Sequence, residues 1–328
     1  MIYPEFLHKG DTIGICAPSA GVGKKLESYD TAIDYLKQQG YQIKETASVR
    51  LNDPRGGDAR TRAKELDQLV TDPEMDMIMC AAGGDFLDEI LPYVNFASIR
   101  KHPKWIMGAS DPTGLLFPIT TKYDIATVYG LNAGSYDIDP VPEFVKKNLQ
   151  ILSGRKTIQK SSDYHMKTPS FLAEKIEFDT KTEWLANIDS LDVQGRCIGG
   201  CIDVLKDLIG TPYDGTKSFV RRYSDEGIIW YFDNFSQSAE VFYRTLLQMK
   251  YAGWFKGTKA ILIGRVLFES SETGMTYEEA IDRALGEFPV IRETDIGHTL
   301  PHMTMINGAV LHLTYRNKKA SLSFLTES

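Results

Sequence analysis

KWIMGASDPTGLL, residues 104–116, packs a strand, a sharp turn and the opening of a helix into one short stretch. The apolar run Trp105–Met107 reads as a buried strand that ends at Gly108-Ala109. Ser110-Asp111 then turn the chain. Pro112 suits a first helical position, because its missing N–H would have no intrahelical partner there. The turn predicts an exposed Ser110 hydroxyl beside the amides of a helix start. Two roles stay open for Ser110 at this level: a nucleophile flanked by amides for a developing oxyanion, and a helix-capping serine. The second glycine of the hydrolase elbow G-x-S-x-G is absent, since Pro112 holds its place.

The same alternation continues on either side. TIGICAP (12–18), YQIKET (41–46), MDMIMCAA (75–82) and DIATVYG (124–130) read as strands. Residues 28–39 place Ala32, Ile33 and Leu36 on one helical face, and Gly40 follows as a C-cap. ARTRAKELDQLV (59–70) is a second amphipathic helix. Strands alternating with helices predict a parallel sheet covered on both faces, with functional groups in the loops leaving the carboxyl ends of its strands. From about 140 to 185 the pattern changes to one helix (PVPEFVKKNLQILSG) and a polar, turn-rich stretch, the expected domain connection. Beyond it, short strands (FLAEKIEF, EGIIWYF, KAILIGRV, AVLHLTY, ASLSFL) mix with helices near 201–209, 237–250 and 277–287. The expected organisation is therefore α/β, with an N-terminal domain over 1–165 carrying Ser110 and a smaller mixed domain over 170–328.

Composition excludes several classes. The 328 residues are 42% hydrophobic and 25% charged, an ordinary globular balance. No apolar run approaches the roughly 20 residues of a membrane span. The N-terminus lacks the basic and apolar regions of a signal peptide, so a soluble, cytoplasmic protein is expected. A formal charge of −7 argues against broad nucleic-acid binding and for a peptide or small-molecule partner. Cys16, Cys80, Cys197 and Cys201 lack knuckle or redox spacing and read as buried thiols, with a disulfide or metal role as the alternative.

A serine nucleophile needs a histidine. Of six, His298 in the glycine-flanked loop DIGHTLPHMT is the best candidate, with a structural histidine as the other reading, and His302 reads as structural. For the acid, GIIWYFDNF ends a strand at Asp233, where a carboxylate can accept the imidazole N–H and stabilise the imidazolium. Alternatively, Asp233 or Asn234 simply begins the next helix. The paired Gly83-Gly84 at the end of another strand suits close backbone approach to a ligand, or a plain turn.

Taken together, these segments resemble the LD-carboxypeptidase family, which includes the microcin C immunity peptidases. LHKGDTIGICAPSA (7–20), the stretch from CAAGGDF to GASDPTGLL, GRCIGGCIDVLKDLIGTPY, GIIWYFDN and IGHTLPHMTMINGA carry the resemblance, in order, over some 300 residues. It implies an N-terminal flavodoxin-like parallel sheet, a C-terminal barrel-like domain and a homodimer. It implies Ser110 as nucleophile, Asp233 as acid and His298 as base, with an oxyanion hole from the N–H of Asp111 and one from the Gly83-Gly84 loop. No metal or organic cofactor is expected. The implied reaction is acyl transfer on an L,D-peptide such as a murein tetrapeptide, or on an aminoacyl-nucleotide peptide conjugate, toward which the GHT-x-P loop leans. For the latter, Trp184 is a candidate stacking platform for the base, or a packing tryptophan. The alternative function is a non-catalytic peptide-binding or immunity module with a degenerate triad. Three departures stand out. Asp233 replaces the usual glutamate, Ala82 and Asp85 flank the glycine pair where the family has arginine and tyrosine, and Ala109 replaces a tyrosine.

Overall fold

In the computed structural model, residues 1–155, 158–173 and 175–326 are described. Lys156, Thr157 and Glu174, within the expected connection, lie outside that set. The chain divides into two units. The first is built on Met1–Lys156 with Thr304–Asn307, and the second on Thr157–Met303 with Gly308–Leu325.

Among the described residues, the first unit has five parallel strands: β1 (Thr12–Cys16), β2 (Gln42–Glu45), β3 (Met77–Cys80), β4 (Trp105–Gly108) and β5 (Thr127–Tyr129). They lie in the order β5-β4-β3-β1-β2, the flavodoxin-like arrangement. Strands β3, β4 and β5 are buried at every residue, as in a parallel sheet with both faces covered, and this is why they read as unbroken apolar runs. The connecting helices are α1 (Leu26–Gln38), α2 (Ala59–Thr71), α3 (Phe96–Lys101) and α4 (Thr113–Tyr123), with α5 (Glu143–Leu152) after β5. Asp58 caps α2 by accepting the Thr61 N–H at 3.0 Å. Helix α4 is buried from Thr113 to Thr121, which explains its apolar composition on all sides. Late in the sequence, Met305–Asn307 pairs antiparallel with β5 and completes this sheet.

In the second unit, β6 (Ser190–Cys201), β7 (Ile228–Asp233), β8 (Thr258–Gly264) and β9 (Val290–Thr294) form a parallel block. Antiparallel β10 (Val310–Arg316) and β11 (Lys319–Leu325) flank it beside β6. The helices are α6 (Ile202–Leu208), α7 (Thr216–Arg222), α8 (Ala239–Tyr251) and α9 (Tyr277–Leu285). The long strand β6 is masked in the sequence by Gly195, Gly199 and Gly200, which lower strand propensity. The expected strand FLAEKIEF is not found among the described residues. Ser170–Leu172 is a 3₁₀ turn, and Leu172 and Phe178 are exposed, so neither of these two buries itself against a sheet face. No helix among the described residues is long and apolar enough to cross a membrane. All four cysteines are buried, and none is disulfide-bonded.

Candidate active site

Ser110 follows β4 in the left-handed region, φ 68°, a conformation that costs a non-glycine residue energy and recurs where function demands it. The turn is pinned from outside. The Ser110 N–H donates to the Tyr129 hydroxyl at 3.2 Å, and the Ala109 N–H to Asn132 Oδ1 at 3.0 Å. Helix α4 begins at Thr113 with Pro112 at its N-cap and no side-chain cap. Ser110 is therefore not the capping serine of the alternative reading.

Two other strand-end loops meet this turn. A Cβ on Gly83 would stand 3.0 Å from Ser110 Cβ and 3.3 Å from its Oγ, so only glycine brings this backbone so close. Asp111 is buried, and its Oδ2 accepts the Leu87 N–H at 2.9 Å and the Ser19 hydroxyl. Burial pushes its carboxyl above the usual range, against the pull of those two donors. Arg62, on α2 and fully buried, donates to the carbonyls of Pro18 (2.8 Å), Ser19 (3.3 Å) and Phe86 (3.0 Å), and pairs with Glu89 at 2.9 Å. In the sequence, Ser19, Arg62 and the Asp111 side chain carry no signal of their own. Nothing in local spacing tells that they converge.

In the second unit, Asp233 ends β7, fully buried, and His298 lies in the loop after β9. His298 Nδ1 is 2.7 Å from Asp233 Oδ2, and the His298 N–H donates to Oδ1 at 3.2 Å. Strand β8 stands between β7 and β9, so the histidine loop must cross it. Two glycines allow this. A Cβ on Gly264, at the end of β8, would fall 2.1 Å from the Ile296 carbonyl oxygen. One on Gly297, at φ 106°, would fall 2.0 Å from Asp233 Oδ1.

Around the imidazole, Phe235 tilts its ring at 4.6 Å between centroids. Asp203, in the first turn of α6, accepts the N–H groups of Phe235 (2.9 Å) and Ser236 (3.0 Å). Burial by itself would lower the His298 pKa. The negative charge of Asp233, 2.7 Å from Nδ1, with that of Asp203, outweighs it and raises the pKa above the ordinary imidazole value. Asp233 does not start α8, which is capped by Ser238 five residues on. His302 Nδ1 donates to the Gly297 carbonyl at 2.5 Å and props the loop, as its structural reading holds. Asp203 escaped the sequence reading. Its signal was an aspartate in a helix's first turn directly after the glycine-rich strand.

Trp184 corrects an expectation. Its ring is fully buried and its Nε1 donates to Asp295 at 3.2 Å, so it packs and presents no face for a nucleobase. Asp295 is in turn held by Arg265 at 2.6 Å and by the Ser162 N–H at 2.7 Å.

Against known proteins, residues 13–130 match the LD-carboxypeptidase N-terminal domain and residues 194–313 the LD-carboxypeptidase C-terminal domain, together well over half of the chain. The microcin C7 self-immunity protein MccF of Escherichia coli is 26% identical over 96% of this chain and 93% of its own length. A probable murein peptide carboxypeptidase of Bacillus subtilis is 25% identical over 97% and 93%. The structure of MccF in complex with aspartyl sulfamoyl adenosine superposes with a TM-score of 0.82 at 24% identity, covering both chains in full.

Proposed function

We propose, because the chain belongs to the LD-carboxypeptidase family, that it is a serine carboxypeptidase with Ser110 as nucleophile, His298 as general base and Asp233 orienting that base. Its substrate in this reading is an L,D-peptide of the murein tetrapeptide kind or an aminoacyl-nucleotide peptide conjugate. The relatives named for murein peptides and for microcin immunity support those two classes.

The observation that carries the reading is the buried Asp233 carboxylate 2.7 Å from His298 Nδ1. With Nδ1 on the side of that carboxylate, Nε2 is the nitrogen left to move protons. In the proposed cycle Nε2 takes the Ser110 proton as Oγ forms a bond to the substrate carbonyl carbon. The N–H groups of Asp111 and Gly83, which have no acceptor among the described residues, stabilise the oxyanion. Imidazolium then protonates the leaving amine, the C–N bond breaks, and water repeats the sequence on the acyl-enzyme. A degenerate, binding-only triad would let the carboxylate drift from the imidazole, and the 2.7 Å separation instead keeps the two in ion-pair range.

Incubation with murein tetrapeptide and with a processed microcin C analogue, followed by mass, tests the reading. The expected outcome is release of the terminal residue or the nucleotide moiety, and a fall of at least about 10³-fold in kcat for Ser110→Ala with binding retained. Tight binding without cleavage, the same in wild type and Ser110→Ala, would instead establish the binding module.

A further inference from the structure

We propose that the Asp111 side chain is a positioning residue for the oxyanion hole, tying the loop that carries Gly83 to the turn that carries Ser110. The inference rests on the acyl-transfer reading above and adds a device that controls it.

Three loops leave the carboxyl ends of β1, β3 and β4, and one carboxylate reaches two of them from the third. Asp111 Oδ2 accepts the Leu87 N–H from the loop after β3 and the Ser19 hydroxyl from the loop after β1. Arg62 then locks those two loops to each other through the carbonyls of Ser19 and Phe86. The residue therefore plays two parts. Its N–H is one proposed oxyanion donor, and its side chain sets where the other donor, on the Gly83 backbone, stands. Gly83 is held so near that an added Cβ would touch the Ser110 side chain. Burying a carboxylate at 6% exposure carries a desolvation penalty that an apolar residue would avoid. Here the carboxylate supplies what an apolar residue cannot, a directional link between separate backbones. Oxyanion donors work only at hydrogen-bond range of the developing charge, so a small drift of the Gly83 loop weakens the transition state while ground-state binding survives.

The variants Asp111→Asn and Ser19→Ala of the full chain test this beside the wild type. Asparagine keeps the size but leaves one carbonyl oxygen, and its amide cannot accept the Phe86 N–H that the carboxylate also faces, while Ser19→Ala removes a single bond and leaves the carboxylate. Three readouts apply. The first is the rate of phosphonylation by a fluorophosphonate, in which the Ser110 Oγ–P bond forms, the P–F bond breaks, fluoride leaves and His298 takes the proton. The others are steady-state cleavage of murein tetrapeptide and amide hydrogen exchange over residues 83–87. We expect phosphonylation and kcat to fall about 10²-fold in Asp111→Asn, the loss typical of one oxyanion donor. In Ser19→Ala the fall should be about 10-fold, the size of one ordinary hydrogen bond. KM should stay within about two-fold, the pH profile unmoved, and exchange at 83–87 faster.

Folded variants that react at the wild-type rate, or in which kcat holds while KM rises, overturn the proposal, as does unchanged exchange over 83–87. If Asp111→Asn does not fold, Ser19→Ala decides by the same criteria. A wild type that neither labels nor cleaves either substrate sinks the acyl-transfer reading instead. Hydrogen exchange still decides whether Asp111 ties the loop.

Discussion

At position 233, where the family resemblance implies a glutamate, the backbone of the histidine loop comes up close to the shorter aspartate. Gly264 lets the chain after β9 pass over the end of β8, and Gly297 lets it settle directly against the carboxylate. The sequence marked Asp233 as a candidate but not this approach, because Gly264, Gly297 and Asp233 are local features of three different strand ends. Asp203 matters on the same scale. Its charge adds to that of Asp233 in favouring the imidazolium, and both raise the His298 pKa against burial. In the proposed mechanism His298 must be neutral to act as base, so the acid limb of kcat/KM follows this pKa. Asp203→Asn removes a charge that stabilises the protonated ring, so the pKa falls and the limb moves to lower pH, with the high-pH plateau little altered. A pH–rate profile that stays in place, or moves upward, rules the coupling out.

Among elements, the helices were legible because an amphipathic stripe and a capping residue are both local. The α2 and α8 stripes were read with ends within two residues of those observed. Strand β6 was not legible, since its stability comes from pairing with β7 and β10 and not from its own glycine-rich sequence. A loop–helix contact of the same non-local kind governs the segment after β8. Glu240, in the first turn of α8, accepts the hydroxyls of Ser271 and Thr273 and the N–H groups of Glu272 and Thr273 on one oxygen. Those donors hold its carboxyl well below the usual range. The loop also presents Phe268 edge-on to Phe235, which rests on His298. Glu240→Ala should release amide protection at Glu272 and Thr273 by about 10-fold or more in hydrogen exchange, with the global melting point nearly unchanged. Protection that survives the substitution would show that the loop is held by other contacts.

At the scale of the molecule, the first unit is not continuous in sequence. Its sheet takes its last strand, Met305–Asn307, from a segment more than 170 residues beyond β5. A fragment of residues 1–165 would leave the edge of β5 unpaired, and exposed strand edges invite aggregation. Such a fragment should elute as aggregate or unfold at a markedly lower temperature than the full chain, by size exclusion and thermal circular dichroism. A stable monomer of native-like melting temperature would mean that the added strand contributes little.

The sequence alone determined the α/β class, the parallel sheet of the first strands, the strand-turn-helix around Ser110 and the candidacy of Asp233 and His298. Each follows from periodicity, turn residues and chain order, which are local, or from a resemblance carried by ordered motifs. Tertiary structure alone decided that two glycines bring the His298 loop to Asp233, that Trp184 is packing, and that Asp111 and Arg62 bind three loops together. Those outcomes depend on which backbones approach within a few ångströms, and residues brought together by a sheet carry no mark of it in their own neighbourhoods.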